Sequence, residues 1–193
     1  SNLLILKVFM ISLQQRAEKI KLLICDVDGV LTDGKIYIGN EGELFKAFNV
    51  KDGLDIKMLM ANGIDVAILT ARSSKILATR MKELGVTNVR QGQRDKVKGL
   101  EELLGEVHLT ENEIAYIGDD LPDYAVIQKV GLAACPADAN SHIQKVCHFK
   151  SAFKGGDGAV RDLAELILTA QNRMNWTIEN MFLNPDPNAK HRY

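Results

Sequence analysis

Short apolar runs alternate along this chain with longer segments in which apolar residues recur every three or four positions. Leu22–Cys25 carries no charge and no breaker, the signature of a strand buried on both faces of a parallel sheet. Residues 64–69, a short run at 86–90, Ile114–Ile117 and Leu132–Cys135 read as four further strands. Between them, residues 52–62 place Leu54, Met58 and Ala61 on one helical face, with Gly63 as the stop. Ser73 is positioned to cap a second helix whose stripe is Leu77, Met81 and Leu84 and whose stop is Gly85. A third follows Gln91 and Gly92, with Val97, Leu100 and Leu104 inward and Lys96 on its first turn. A fourth, entered through the loop at 154–158, turns Val160, Leu163 and Ile167 to one side. Strands alternating with helices in this way predict a doubly wound, Rossmann-like α/β fold on a parallel sheet. Residues 35–48, two β-prone runs around Gly39, Asn40, Glu41 and Gly42, predict a hairpin projecting from the mouth of that sheet.

The 193 residues, 46% hydrophobic, suffice for one full core and require no second domain. The expected layout is an N-terminal helical extension at 1–20, an α/β core at 21–171 and a C-terminal tail at 172–193. The tail turns polar but keeps Trp176, Ile178, Met181 and Phe182 as anchors for docking on the body or on a neighbour, with 185–193 mobile. Residues 3–13 are apolar, yet Lys7 interrupts them and they fall short of the about 20 residues that a bilayer span needs. They lack the small-residue cleavage site of a secretory signal and predict a helix buried against the body or another subunit. With 24 basic residues against 25 acidic ones, no global field favours nucleic acid or an anionic membrane. Cys25, Cys135 and Cys147 form no paired motif and read as reduced thiols of a cytoplasmic protein, and the four histidines lack metal-ligand spacing.

Chemistry gathers where the strands end. The first strand runs into Asp26 and Asp28, which share a face of an extended backbone, and Gly29 then lets the chain turn away. Residues 64–69 end at Thr70, the third helix opens near Lys96, and Ile114–Ile117 runs into Gly118, Asp119 and Asp120. Each alone reads as an ordinary turn, cap or solvated charge. Parallel strands, however, bring their carboxyl ends to one edge, where the set has the makings of a phosphoryl-transfer site. Asp26 and Asp119 can hold Mg²⁺, with the backbone carbonyl of Asp28 as a further oxygen ligand. One carboxylate of the first pair then serves as nucleophile, while Asp28 passes a proton to the leaving group and takes one from water. Thr70 offers a hydroxyl and an N–H to a phosphoryl oxygen, and Lys96 neutralises charge on nucleophile and phosphate together.

DVDG at 26–29, Leu69 with Thr70, Lys96, and GDD at 118–120 resemble the four motifs of the haloacid dehalogenase superfamily. The resemblance implies a Mg²⁺-dependent phosphatase with an aspartyl-phosphate intermediate at Asp26 and a metal held by Asp26, Asp28 and Asp119. The strings DVDGVLTDG, NVKDG, LTARSS, QGQRDK, GDDLPD and GGDGAV resemble, over about 20–170, members acting on an eight-carbon sugar acid phosphate, 3-deoxy-D-manno-octulosonate 8-phosphate. Carried over by position, substrate contacts fall on Asp28, Asn49, Val50, Lys51, Asp52, Gly53, Lys57, Arg72, Arg80 and Lys96, and Asp120 and Asp123 stand behind the metal ligands. Two positions depart from the pattern: Asp55 and Ala71 stand where glycine is expected. Asp55 either faces solvent or alters which sugar acid fits, which keeps a nine-carbon sugar acid phosphate as an alternative substrate.

Two other classes compete, a catalytically silent oligomerisation module and a response-regulator receiver. The intact Asp26 and Asp28 oppose the first; Val89, Arg90 and Gln91, where a receiver carries its aspartate, oppose the second. Only a helix and a short loop separate Lys96 from Ile114, and the hairpin is short, so no cap domain fits. The resemblance then implies a homotetramer in which neighbouring hairpins and tails complete each site. It also implies a product used for the inner core of lipopolysaccharide.

Overall fold

A computed structural model describes residues 11–188. In chain order come helix α1 (Leu13–Glu18), strand β1 (Leu22–Cys25), the hairpin strands β2 (Tyr37–Gly39) and β3 (Gly42–Phe45), α2 (Val50–Ala61), β4 (Asp65–Leu69) and α3 (Lys75–Leu84). There follow β5 (Asn88–Arg90), α4 (Lys96–Val107), β6 (Ile114–Ile117), α5 (Tyr124–Ile127), β7 (Leu132–Cys135), α6 (Ser141–Val146), β8 (Phe149–Lys150), α7 (Ala159–Ala170) and α8 (Met174–Thr177). The sheet order is β5-β4-β1-β6-β7-β8, all parallel, and β2 and β3 form a separate antiparallel pair. From β1 the chain builds outward to β4 and β5, then crosses to β6 on the other side of β1. That reversal opens a crevice at the carboxyl end of β1.

Both faces of the sheet are covered, and β1 shows why its sequence is apolar throughout. Leu23 and Cys25 pack with Ala17, Ile56, Leu59, Met81 and Leu163 from α1, α2, α3 and α7. Leu22 and Ile24, pointing the opposite way, meet Leu100, Leu103, Val126 and Ile143 from α4, α5 and α6. Ala17 and Ile20 belong to the core, and Gln171 donates to the carbonyls of both, at 3.0 and 2.9 Å, so residues 13–20 are built into the body.

The structure corrects several local expectations. A sixth sheet strand, β8, is only two residues long, too short for an alternation to show in sequence. Helix α2 starts at Val50, because Asn49 Oδ1 accepts the Lys51 N–H at 2.9 Å and caps it there. Its buried face is Asp52, Gly53, Asp55, Ile56, Met58 and Leu59, so Leu54 and Ala61 are only half-buried. Ser74, not Ser73, caps α3, its Oγ accepting from Leu77 N at 3.2 Å. On α4, Gly99, Leu100 and Leu103 turn inward, with Val97 and Leu104 at the margin. In the tail, Met174 and Met181 pack on the core and Asn62 Nδ2 donates to Thr177 Oγ1 at 2.8 Å, whereas Trp176, Ile178, Phe182 and Leu183 are exposed. Most of the helix expected at 3–13, and the end of the tail beyond 188, lie outside the described residues. The three cysteines are free, and no described helix is long and apolar enough to cross a membrane.

Candidate active site

At the end of β1, Asp26 continues the ladder, donating its N–H to Ile117 O at 3.1 Å, and its side chain then meets two fixed donors. Val27 N donates to Oδ1 at 2.7 Å and Lys96 Nζ lies 2.8 Å from Oδ2. Burial raises the Asp26 carboxyl above its ordinary range and Asp123 adds to this, with Lys96 and the Val27 N–H opposing. Lys96 is the first residue of α4 and is buried, so its ammonium needs partners. It finds Asp26 and, at 2.6 Å, Asp123 Oδ1. Burial works against its charge, but these two carboxylates outweigh it and hold the amine above its usual value.

Asp123 organises this corner more than its sequence position foretold. Oδ1 also accepts from Tyr116 OH at 2.5 Å, and Oδ2 accepts the N–H groups of Asp119 and Asp120 at 3.0 and 3.2 Å. The GDD turn is thereby fixed to β6 and α4 through one buried carboxylate. Asp120 caps the short turn that follows, its Oδ1 accepting from Leu121 N at 2.8 Å. Gly29 has φ +86°, and a Cβ there would lie 2.0 Å from Asp119 Oδ2, so only glycine permits this approach.

Asp28 meets cations from two directions. Lys46 Nζ, from the end of the hairpin, lies 2.7 Å from Oδ1, and Arg72 Nε lies 3.6 Å from Oδ2. Lys46 also pairs with Glu43 at 3.0 Å, and Glu43 accepts a short hydrogen bond from Ser74 Oγ. The hairpin is thus clasped to the mouth of its own sheet. Lys46, Glu43, Ser74 and Tyr116 were not foreseen, because the pairing of a hairpin with a distant helix cap leaves no local pattern.

Asp26, Asp28, Thr70, Arg72, Lys96, Asp119, Asp120 and Asp123 all line one cleft of about 270 Å³. Ala71 lines it too. A divalent cation fits the donors here: carboxylate oxygens of Asp26, Asp119 and Asp123 lie within 4.8 Å of one another, all hard ligands. Since the Asp123 oxygens already accept from Lys96, Tyr116 and two backbone N–H groups, Asp26 and Asp119 are the pair left to face an ion. Burial pushes Asp119 up to about 7, with the negative charges of Asp123, Asp26 and Asp120 adding and Lys96 opposing.

The remaining expected contacts gather elsewhere. Val50, Lys51, Gly53, Lys57 and Arg80 line a second cavity, of about 280 Å³, that shares no lining residue with the cleft. Asn49 and Asp52 lie beneath it in structural roles. Asn49 caps α2 and donates to Gly156 O at 3.3 Å, while the buried Asp52 accepts from Arg161 N at 3.0 Å and so caps α7 from across the helix interface. Asp55 faces neither solvent nor cleft; it is buried between α2 and α7.

Residues 87–162 match the family model of the haloacid dehalogenase-like hydrolases. The chain is 49% identical over 160 residues to the 3-deoxy-D-manno-octulosonate 8-phosphate phosphatase of Yersinia pestis, covering 83% of this chain and 86% of that one. It is 44% identical to the phosphatase of the same name from Escherichia coli K12, covering 83% and 85%. A crystal structure of the Moraxella catarrhalis phosphatase of that name, in complex with magnesium, phosphate and 3-deoxy-D-manno-octulosonate, matches with a TM-score of 0.84 at 41% identity over 86% of this chain and 95% of that one.

Proposed function

The chain belongs to the haloacid dehalogenase-like hydrolases, among their 3-deoxy-D-manno-octulosonate 8-phosphate phosphatases, and from that premise we propose how its residues carry out the reaction. It is a Mg²⁺-dependent phosphoric monoester hydrolase that converts the 8-phosphate to the free sugar acid and phosphate. The observation that carries the residue assignment is the meeting of Asp26, Asp28, Thr70, Lys96 and Asp119 in one cleft. Asp26, held at both oxygens, attacks phosphorus in line and forms the aspartyl phosphate. Asp28 gives its proton to the departing alkoxide and then takes one from the hydrolytic water, using Oδ2, which Lys46 does not hold and which Arg72 approaches only to 3.6 Å. Thr70 binds a phosphoryl oxygen, and Lys96 keeps a positive charge against both nucleophile and phosphate. Asp26, Asp119 and the carbonyl of Asp28 would hold Mg²⁺, which when bound offsets the repulsion between carboxylates and phosphate.

Lys51, Lys57 and Arg80, gathered away from the cleft, suit the carboxylate end of the substrate within an assembled homotetramer. The hairpin supports assembly, since Ile38, Leu44 and the nearby Val50 are 70%, 64% and 77% exposed. Asp55 is buried and does not itself face the sugar, and the relatives named for the eight-carbon ester favour it over the nine-carbon one. We place the enzyme in the cytoplasm, supplying the sugar acid for lipopolysaccharide. Phosphate release in the presence of Mg²⁺ tests the reading, with the eight-carbon ester set against its nine-carbon analogue and an EDTA control. Preference for the eight-carbon ester is expected; metal-independent release, or preference for the longer acid, would overturn it.

A further inference from the structure

Behind the second cavity is a buried carboxylate that the phosphatase chemistry does not use. Asp55 is 0% exposed, and neither of its oxygens accepts a hydrogen bond among the described residues. Its nearest cation is Arg161, with Nε 3.6 Å from Oδ1. Burial pushes Asp55 up to about 7, with Arg161 opposing and Glu165 and Asp52 adding. A buried carboxylate without hydrogen bonds is among the costlier side chains a core can hold, which asks what it does for the molecule.

Arg161 connects this acid to the cavity. Asp52 holds its backbone N–H, and its Nε donates to Glu165 Oε1 at 3.0 Å. Among the described residues, its Nη groups have no hydrogen-bond acceptor. Its side chain lines the cavity together with Lys51, Lys57 and Arg80, and none of the lining residues is acidic. Lys51 and Lys57 form no ion pair among the described residues, and Arg80 has only a 3.4 Å contact with Glu83. Gly53 makes room for Arg80, since a Cβ there would lie 2.5 Å from Nη2. Two of these four cations, Lys51 and Lys57, are paired with no acid among the described residues, so the cavity as a whole calls for an anion.

We infer that Asp55 is a positioning residue: it holds Arg161 at the cavity as a fourth cation, and Arg161 binds the carboxylate of the sugar acid alongside Lys51, Lys57 and Arg80. This rests on the substrate reading given above. An ester without a carboxylate gains nothing from Arg161, so the pair selects for acids.

Steady-state kinetics of the full chain with Mg²⁺ test this on two esters, 3-deoxy-D-manno-octulosonate 8-phosphate and a pentose 5-phosphate, which has no carboxylate. Arg161→Gln is expected to raise KM for the sugar acid ester about 10-fold, the worth of a charge-assisted contact, with kcat within about 2-fold. kcat/KM for the pentose ester stays unchanged, and Arg161→Lys recovers part of the loss. Asp55→Asn moves the same KM in the same direction by about 3-fold, the smaller effect of a group acting through another. Equal losses on both esters, a fall in kcat alone, an unchanged KM for the sugar acid, or a KM shift that merely follows a fall in Tm would each overturn the inference. A wild type that hydrolyses the pentose ester but not the sugar acid ester overturns the substrate reading, and this inference with it.

Discussion

In the cleft at the strand ends, Lys96 lies between Asp26 and Asp123, and Lys46 between Asp28 and Glu43. In the cavity lined by α2, α3 and α7, Lys51 and Lys57 have no acidic partner among the described residues, and the acid behind them is out of reach of solvent. The cleft pins each of these cations and still leaves carboxylates in surplus, which suits a divalent ion that then admits phosphate. The cavity leaves cations in surplus, which suits a carboxylate directly. A sugar acid phosphate carries one group for each, which is the ground for the proposed assignment of the cavity to the carboxylate.

The hardest break of this contrast is Asp26→Asn. Without a nucleophile, phosphate release is expected to fall by about 10⁴-fold or more. KM should move little if the cavity supplies the hold on the sugar acid. Single-turnover and steady-state assays measure the two separately.

Removing a cation sharpens the comparison through stability. Lys96→Met leaves Asp26 and Asp123 buried and facing each other, and is expected to cost about 3–5 kcal/mol in urea unfolding without metal. Added Mg²⁺ should return part of that loss by taking over the charge. Lys57→Met, removing a cation with no acidic partner among the described residues, should change stability by no more than about 0.5 kcal/mol.

Asp55 extends the stability test to pH. The folded protein keeps this carboxyl protonated up to about 7, whereas an unfolded chain releases the proton near pH 4. The folded state therefore binds the extra proton between those values, and its stability declines as pH rises from about 4 to about 7. Asp55→Asn cannot ionise and escapes the decline. Unfolding at pH 5 and pH 8 should show the variant gaining on the wild type by roughly 2–4 kcal/mol across the window. A constant difference would mean that Asp55 ionises as freely in the folded protein as in the unfolded one.

The same contrast explains what was legible in the sequence. Strand ends announce themselves: an apolar run that stops on Asp26, Thr70 or Asp119 fixes both an element and its edge, and parallel order does the rest. The cavity has no such punctuation. Its residues lie on helices whose buried face cannot be read from apolar spacing, because α2 turns Asp52 and Asp55 inward and leaves Leu54 half out. A carboxylate in a core contradicts the pattern used to find the core, so Asp55 was expected either in solvent or against the sugar. Arg161, on α7, was missed for a related reason, since its part depends on a residue of α2, five helices earlier in the chain. Lys46 was missed because its partner, Asp28, belongs to another element altogether.

Lys46 ties the hairpin to the cleft, while the exposed Ile38 and Leu44 are its part in the proposed assembly, and the two should separate. Deleting residues 35–48 is expected to abolish assembly and most activity, but the deletion removes the exposed Ile38 and Leu44 together with Lys46, so it cannot apportion the loss. Point substitutions can. Leu44→Asp places a charge on an exposed apolar strand face and should shift the assembly toward monomers by sedimentation, leaving the Lys46 contact intact. Lys46→Ala leaves that apolar face untouched and removes one charge-assisted bond to Asp28, which is expected to lower kcat about 10-fold with the assembly unchanged. If instead both variants lose assembly and activity in step, the clasp of Lys46 on Asp28 is what holds the hairpin in its assembling shape, and the mouth of the sheet and the subunit contact are one device.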